Sequence, residues 1–191
     1  MIIHPLAPRS RLPLARLAAL APDRLAAELG RRLDDRYHYV AHAAPSGSEP
    51  IDAVVVGPGG TWALTRAHEH GRFRRRNGHW YRWSRSTDSW IPWDAVAVTV
   101  ARLAGHRLEL VLERAGLPAV VEACLVTGPH IDVTWEPDQR PGIQVHATPD
   151  ELARRIAGDE VLTDAQVDRI VALLDPRQPV PRLAPSTPTA E

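Results

Sequence analysis

With 191 residues, the chain can bury the hydrophobic core of one ordinary domain. Its 23 basic and 23 acidic residues balance, so net charge selects no partner, and because every basic residue is arginine no chemistry can draw on a lysine ammonium. One cysteine excludes an intramolecular disulfide and suits a reducing compartment, while no apolar run reaches the ~18 residues of a membrane span or forms a secretory leader, making cytoplasmic the default.

Residues 1–20 form a Pro-, Arg- and Ala-rich extension with a short helical stretch at 13–20. A helix is expected from Asp23 to Leu33, with Pro22 in its first turn and Leu25, Leu29 and Leu33 on one face beside Ala26. Glu28 sits at the border of that face, as a solvated helix glutamate or as a candidate ligand. Residues 36–43 alternate as a strand, and Pro45 to Pro50 is a loop. Two apolar strands follow, 51–56 and 61–66, with Val54, Val55 and Val56 reading as a segment buried on both faces. Gly57-Pro58-Gly59-Gly60 joins them; its glycines are expected at positive φ and its proline presets the turn. Asp52, an acid at the start of an apolar hairpin, is a candidate metal ligand.

The next hairpin is signalled by Asn77-Gly78 between Arg72-Phe73-Arg74-Arg75-Arg76 and His79-Trp80-Tyr81-Arg82-Trp83. This turn pairs Arg76 with His79, Arg75 with Trp80, Arg74 with Tyr81 and Phe73 with Arg82. Arg72, Arg74, Arg76, His79, Tyr81 and Trp83 then share one face, and Phe73, Arg75, Trp80 and Arg82 the other. Arginine interleaved with aromatics grips phosphates and stacks on bases, which makes Arg72, Arg74, Arg76, Trp80, Tyr81 and Trp83 candidate nucleic-acid contacts. The competing reading is an exposed hairpin with guanidinium groups resting on its own rings.

Ser84 to Ile91 reads as a loop, and Pro92 leads into a helix from Asp94 to Ala115 with an apolar stripe at Val96, Val100, Leu103, Arg107/Leu108, Val111 and Leu112. A strand at 119–126, a loop at 128–141 and a short strand at 142–147 follow. Thr148-Pro149-Asp150-Glu151 and Thr163-Asp164-Ala165-Gln166 are capping boxes opening two last helices. The domain thus spans 21–175, and the proline-rich segment 176–191 reads as an unpacked tail. This order specifies an α/β (α+β) fold with a central mixed β-sheet and helices on its faces.

Several of these residues together resemble the nuclease-related domain (NERD) family, itself similar to the PD-(D/E)xK restriction-endonuclease-like fold. The match runs through the helix carrying Glu28, Leu33-Asp34-Asp35-Arg36-Tyr37, the run from Ile51-Asp52 through Val54-Val55-Val56-Gly57-Pro58-Gly59-Gly60, the hairpin ending in Gly78-His79-Trp80, the Pro92-led helix, and Thr148-Pro149-Asp150-Glu151-Leu152. The resemblance implies a Mg²⁺-dependent nuclease site made of a helix glutamate, a strand aspartate and a Glu-x-Lys pair on the next strand. Clustered carboxylates hold the ion and the lysine orients the attacking water.

Glu28 and Asp52 occupy the first two positions, but Thr65 and Ala67 stand where the glutamate and lysine belong, with Arg66 between them. Asp94-Ala95-Val96 also lacks the family's glutamine at the start of the long helix. Glu69, four residues after Thr65, is a replacement ligand, and His68-Glu69-His70 suggests a transition metal. The resemblance therefore implies a degenerate nuclease domain with no cofactor, acting as an accessory or as a DNA- or RNA-binding module. The alternatives are a divergent Mg²⁺-dependent nuclease using Glu28, Asp52 and Glu69, and a protein-interaction domain. Neither a zinc spacing, a P-loop nor a nucleophile elbow is present, and Cys124 reads as core.

Overall fold

The computed structural model describes residues 1–4, 23–45, 49–127, 130–135, 144–146 and 148–174, so the extension helix at 13–20 and the tail from 176 lie outside the described residues. The elements are β1 (Ile2–His4), α1 (Arg24–Gly30), β2 (His38–Ala43), β3 (Ile51–Gly57), β4 (Gly60–Arg66), β5 (Gly71–Arg76), β6 (His79–Ser84), β7 (Ser89–Pro92), α2 (Val96–Arg114), β8 (Val121–Val126), β9 (Ile131–Trp135), β10 (Gln144–His146), α3 (Pro149–Ile156) and α4 (Asp164–Leu174). This is an α+β fold, with two mixed sheets where one was expected. The larger sheet has the order β1-β2-β3-β4-β8-β10 and the smaller β7-β6-β5-β9. The split follows from hydrogen bonding: β4 is paired with β3 on one edge and with β8 on the other, so β5 cannot join it.

Helices cover both faces of the large sheet. Val54, Val56 and Ala63 pack against Leu108 and Leu112 of α2 and Val167, Ile170 and Val171 of α4. On the other face, Tyr39, Val55, Trp62, Leu64 and Cys124 meet Leu25 and Leu29 of α1 and Leu152 and Ile156 of α3. The three valines of β3 are fully buried, each contributing about 1.5–3 kcal/mol. Cys124 belongs to this core, and burial raises its thiol pKa to about 12. Among the described residues no helix is long and apolar enough to cross a membrane.

The turn glycines serve close approach more than dihedral freedom. Gly57 pairs with Gly60 across a two-residue turn, and of the turn glycines only Gly60 has a positive φ, at 131°. At Gly57 a Cβ would stand 2.1 Å from Cδ1 of the Tyr37 ring, and at Gly59 2.5 Å from the Ile156 carbonyl oxygen.

Three other expectations are corrected. Ser89–Pro92 is not loop but β7, because Trp90 pairs with Trp83 and their rings meet edge to face at 5.3 Å. Within 128–141, Ile131–Trp135 forms β9 in parallel with β5, placing Val133 beside the buried Phe73. The long helix begins at Val96 and buries Val98, Ala101, Ala104, Gly105, Leu108 and Leu112, whereas Val96, Val100 and Leu103 are exposed. Small residues win that face because the helix lies close to β8: a Cβ at Gly105 would be 2.7 Å from Cβ of Ala123.

Strand β1, at the sheet edge, pairs in parallel with β2. There His4 Nε2 and His38 Nδ1 lie 3.0 Å apart with their rings stacked. Burial, then the neighbouring His4 and the N-terminal ammonium, lower the His38 pKa below its ordinary 6.5, with Asp168 partly opposing them. The unfolded chain therefore binds more protons below pH 6.5, and stability is lost as pH falls from that value through the lowered pKa of the folded state. Urea denaturation should show lower stability at pH 5.5 than at pH 7.5, and His38→Gln should flatten that difference; an unchanged slope in the variant would refute the assignment.

Candidate functional site

Of the positions that the nuclease-related pattern singles out, Asp52 and Thr65 lie on the β3–β4 hairpin, whereas Glu28 lies on α1 and Ala67 and Glu69 follow β4. Asp52 stands one residue beyond the Ala53–Leu64 ladder pair, and its Oδ2 accepts the Arg66 backbone N–H at 2.8 Å. The carboxylate thus finishes the ladder where the next main-chain acceptor would have served. Glu28 lies on the surface of α1, where Oε1 accepts from Arg31 and Oε2 from Arg32, each at 2.8 Å. Arg32 in turn binds Asp150 of α3. Glu69 lies on the connection between β4 and β5, beside Phe73, Trp80 and Trp93. Its neighbour His70 stacks on His130 at 5.8 Å.

Each of these three acids therefore has a different setting, and among the described residues no group of three or more His, Cys, Asp or Glu side chains gathers as a metal site. Thr65 is buried, and Ala67 packs against Ala95, Val98 and Leu125. A hydroxyl and a methyl supply neither the charge nor the proton chemistry of a glutamate–lysine pair. Thr65 and Ala67 thus contribute no carboxylate or amine to a Mg²⁺ site.

Arg66 fills the space differently. By alternation it projects to the α1 side of the sheet, opposite Thr65. Its Nη2 donates to Asp23 Oδ2 at 2.5 Å and to the Tyr39 hydroxyl at 2.9 Å, and that hydroxyl donates to Asp23 at 2.7 Å. Asp23 is the N-cap of α1, not its first helical residue: Oδ1 accepts from the Leu25 and Ala26 N–H groups. Desolvation pushes the Asp23 carboxyl up, but the bonds from Tyr39 and Arg66 together with the Arg66 charge outweigh it and hold its pKa below the ordinary value. Burial raises the Tyr39 phenol, so it stays a donor. One arginine thus ties a helix cap, a core tyrosine and the β4 strand together.

The small sheet carries the second group of candidates, in the expected register. Asn77 and Gly78 both have positive φ, the twist that a two-residue hairpin requires. Arg72 lies over Trp83 at 5.7 Å and Trp90 at 5.8 Å; Arg74 lies over Trp90 at 4.5 Å and Tyr81 at 5.8 Å. Arg76 is exposed further along the same face. Asp132 of β9 stands 3.6 Å from Arg72 as the acid beside this row. Trp80 does not join the surface. It faces inward, edge to face with Trp93 at 6.2 Å, where Phe73 also packs. Trp90, which sequence reading passed over inside a presumed loop, takes its place under Arg74.

This face thus brings Arg72 and Arg74 over the rings of Trp83, Trp90 and Tyr81. Comparisons with protein-family models, with curated proteins and with solved structures each found no match.

Proposed function

We propose that the chain is a nuclease-related domain that binds nucleic acid without cutting it, with the outer face of the small sheet as the contact surface. The observation that carries this reading is the layering of Arg72 and Arg74 on Trp83, Trp90 and Tyr81. Arginines supply the phosphate contacts and the rings supply stacking, a combination suited to single strands because every base has a π-face. Binding without cleavage is supported by Thr65 and Ala67 at the acid and amine positions and by the structural use of Asp52 and Glu28. Titration of a labelled single-stranded oligonucleotide at rising salt tests it. A log–log slope near −1.4 to −2.1 is expected from two or three phosphate contacts at about −0.7 each; no binding at low salt would end the reading. A protein partner is the second reading, favoured by the exposed Val96, Val100 and Leu103 on α2. Retained nucleic-acid binding in Val100→Ser/Leu103→Ser would leave that face free of the first role.

A further inference from the structure

At the end of the small sheet away from the Asn77-Gly78 turn lies a cleft of about 490 Å³, lined by His70, Gly71, Arg72, Arg82, Trp83 and Arg85 among others. The volume falls within the ~300–1,000 Å³ of small-molecule sites. Among the described residues its lining includes three arginines, an imidazole and an indole, with the Asp132 carboxylate 3.6 Å from Arg72. Arg82 is fixed from two sides: Nη2 donates to the His70 carbonyl at 3.3 Å and the guanidinium rests 6.0 Å from the Phe73 ring centre. Arg72 is held over Trp83. Arg85 is exposed, with no ion pair among the described residues. Gly71, at φ 127°, forms a wall of bare backbone facing Arg82 Nε.

Internal phosphodiesters carry one charge each and are spaced along a strand, which matches the open row of Arg72, Arg74 and Arg76. Arg72, Arg82 and Arg85 lining one open cleft match a more concentrated charge, such as a phosphomonoester with about −1.5 to −2 at pH 7. The adjacent indole matches the base that such a phosphate would carry. We propose that this cleft binds the terminal phosphate of a nucleic-acid strand, with the terminal base against Trp83 and the strand running on across the arginine row. This rests on the nucleic-acid reading above.

The test uses the full chain and one short single-stranded sequence prepared with a 5′-phosphate, with a 3′-phosphate, and with hydroxyls at both ends. Charge-assisted bonds of this kind should make one phosphorylated end bind about tenfold tighter than the hydroxyl form. Arg85→Gln should shrink that ratio toward unity, whereas Arg74→Ala should weaken all three strands alike. Equal affinity for all three refutes the cleft assignment and leaves the sheet reading standing. Failure of every strand to bind refutes both. Displacement by a free nucleoside monophosphate as effective as by the phosphorylated strand would overturn the strand-end assignment in favour of a free nucleotide; inorganic phosphate alone should displace poorly.

Discussion

Arg66→Ala should destabilise the protein by about 2–3 kcal/mol. Breaking a fully buried ion pair costs about 3–5 kcal/mol because the surviving charge is stranded; here the Arg66 and Asp23 side chains are 36% and 24% exposed, so water recovers part of that cost. The loss has two parts: Asp23 keeps its cap bonds but loses its cation, and the Tyr39 hydroxyl loses a donor. Asp23→Ala should cost more, since about 0.5–2 kcal/mol of helix capping disappears as well. A double-mutant cycle between the two positions should return a favourable coupling. The pair also predicts an acid response. Asp23 is held below its ordinary 3.8, so its contribution is complete above that pH and is lost as pH falls through the lowered value; Arg66→Ala should lack that decline. Urea denaturation that places Arg66→Ala within about 0.5 kcal/mol of the parent would show that Arg66 is an ordinary surface residue.

Removing Arg72 and Arg74 together should lower affinity for single strands by about tenfold or more at physiological salt and flatten the salt slope by about 1.4, two contacts at about 0.7 each. Arg74 has the larger share, being closest to Trp90 and without the acid that competes for Arg72. Trp90→Ala should act differently. Loss of stacking, worth about 1–3 kcal/mol per base, weakens binding at every salt concentration and leaves the slope unchanged. Anisotropy titrations at several salt concentrations separate the two effects. An unchanged slope in the double arginine variant would move the interface elsewhere. Trp80→Ala should instead show as lost stability, since its ring packs inward on Trp93.

Where local chemistry dictated geometry, the sequence was legible. Asn77-Gly78 fixed the hairpin register residue for residue, and the two capping boxes became α3 and α4, with Gln166 and Thr163 bonding reciprocally. The continuous valines of β3 announced burial on both faces. What stayed hidden depended on distant partners. Nothing near Ser89 reveals that Trp90 will meet Trp83, and β9 becomes a strand because β5 needs a neighbour. The stripe on α2 holds at Leu108 and Leu112 but not at Val96, Val100 and Leu103, because hydrophobicity favours valine and leucine while close approach to Ala123 favours alanine and glycine. The pattern drew attention to Asp52, Thr65 and Ala67, and in the structure Asp52 caps a strand while Thr65 is buried. Arg66 looked like filler between two missing groups, and its role appears only once Asp23, 43 residues earlier, and Tyr39 are brought beside it.

Incubating an end-labelled single strand with the intact chain and Mg²⁺ or Mn²⁺, then resolving bound and cut species on native and denaturing gels, tests the central claim most directly. A retarded band on the native gel with full-length strand on the denaturing gel is the predicted result. Cleavage that disappears in Asp52→Ala would contradict it, restoring Asp52 as a catalytic ligand in place of the strand-capping acceptor it is in the structure.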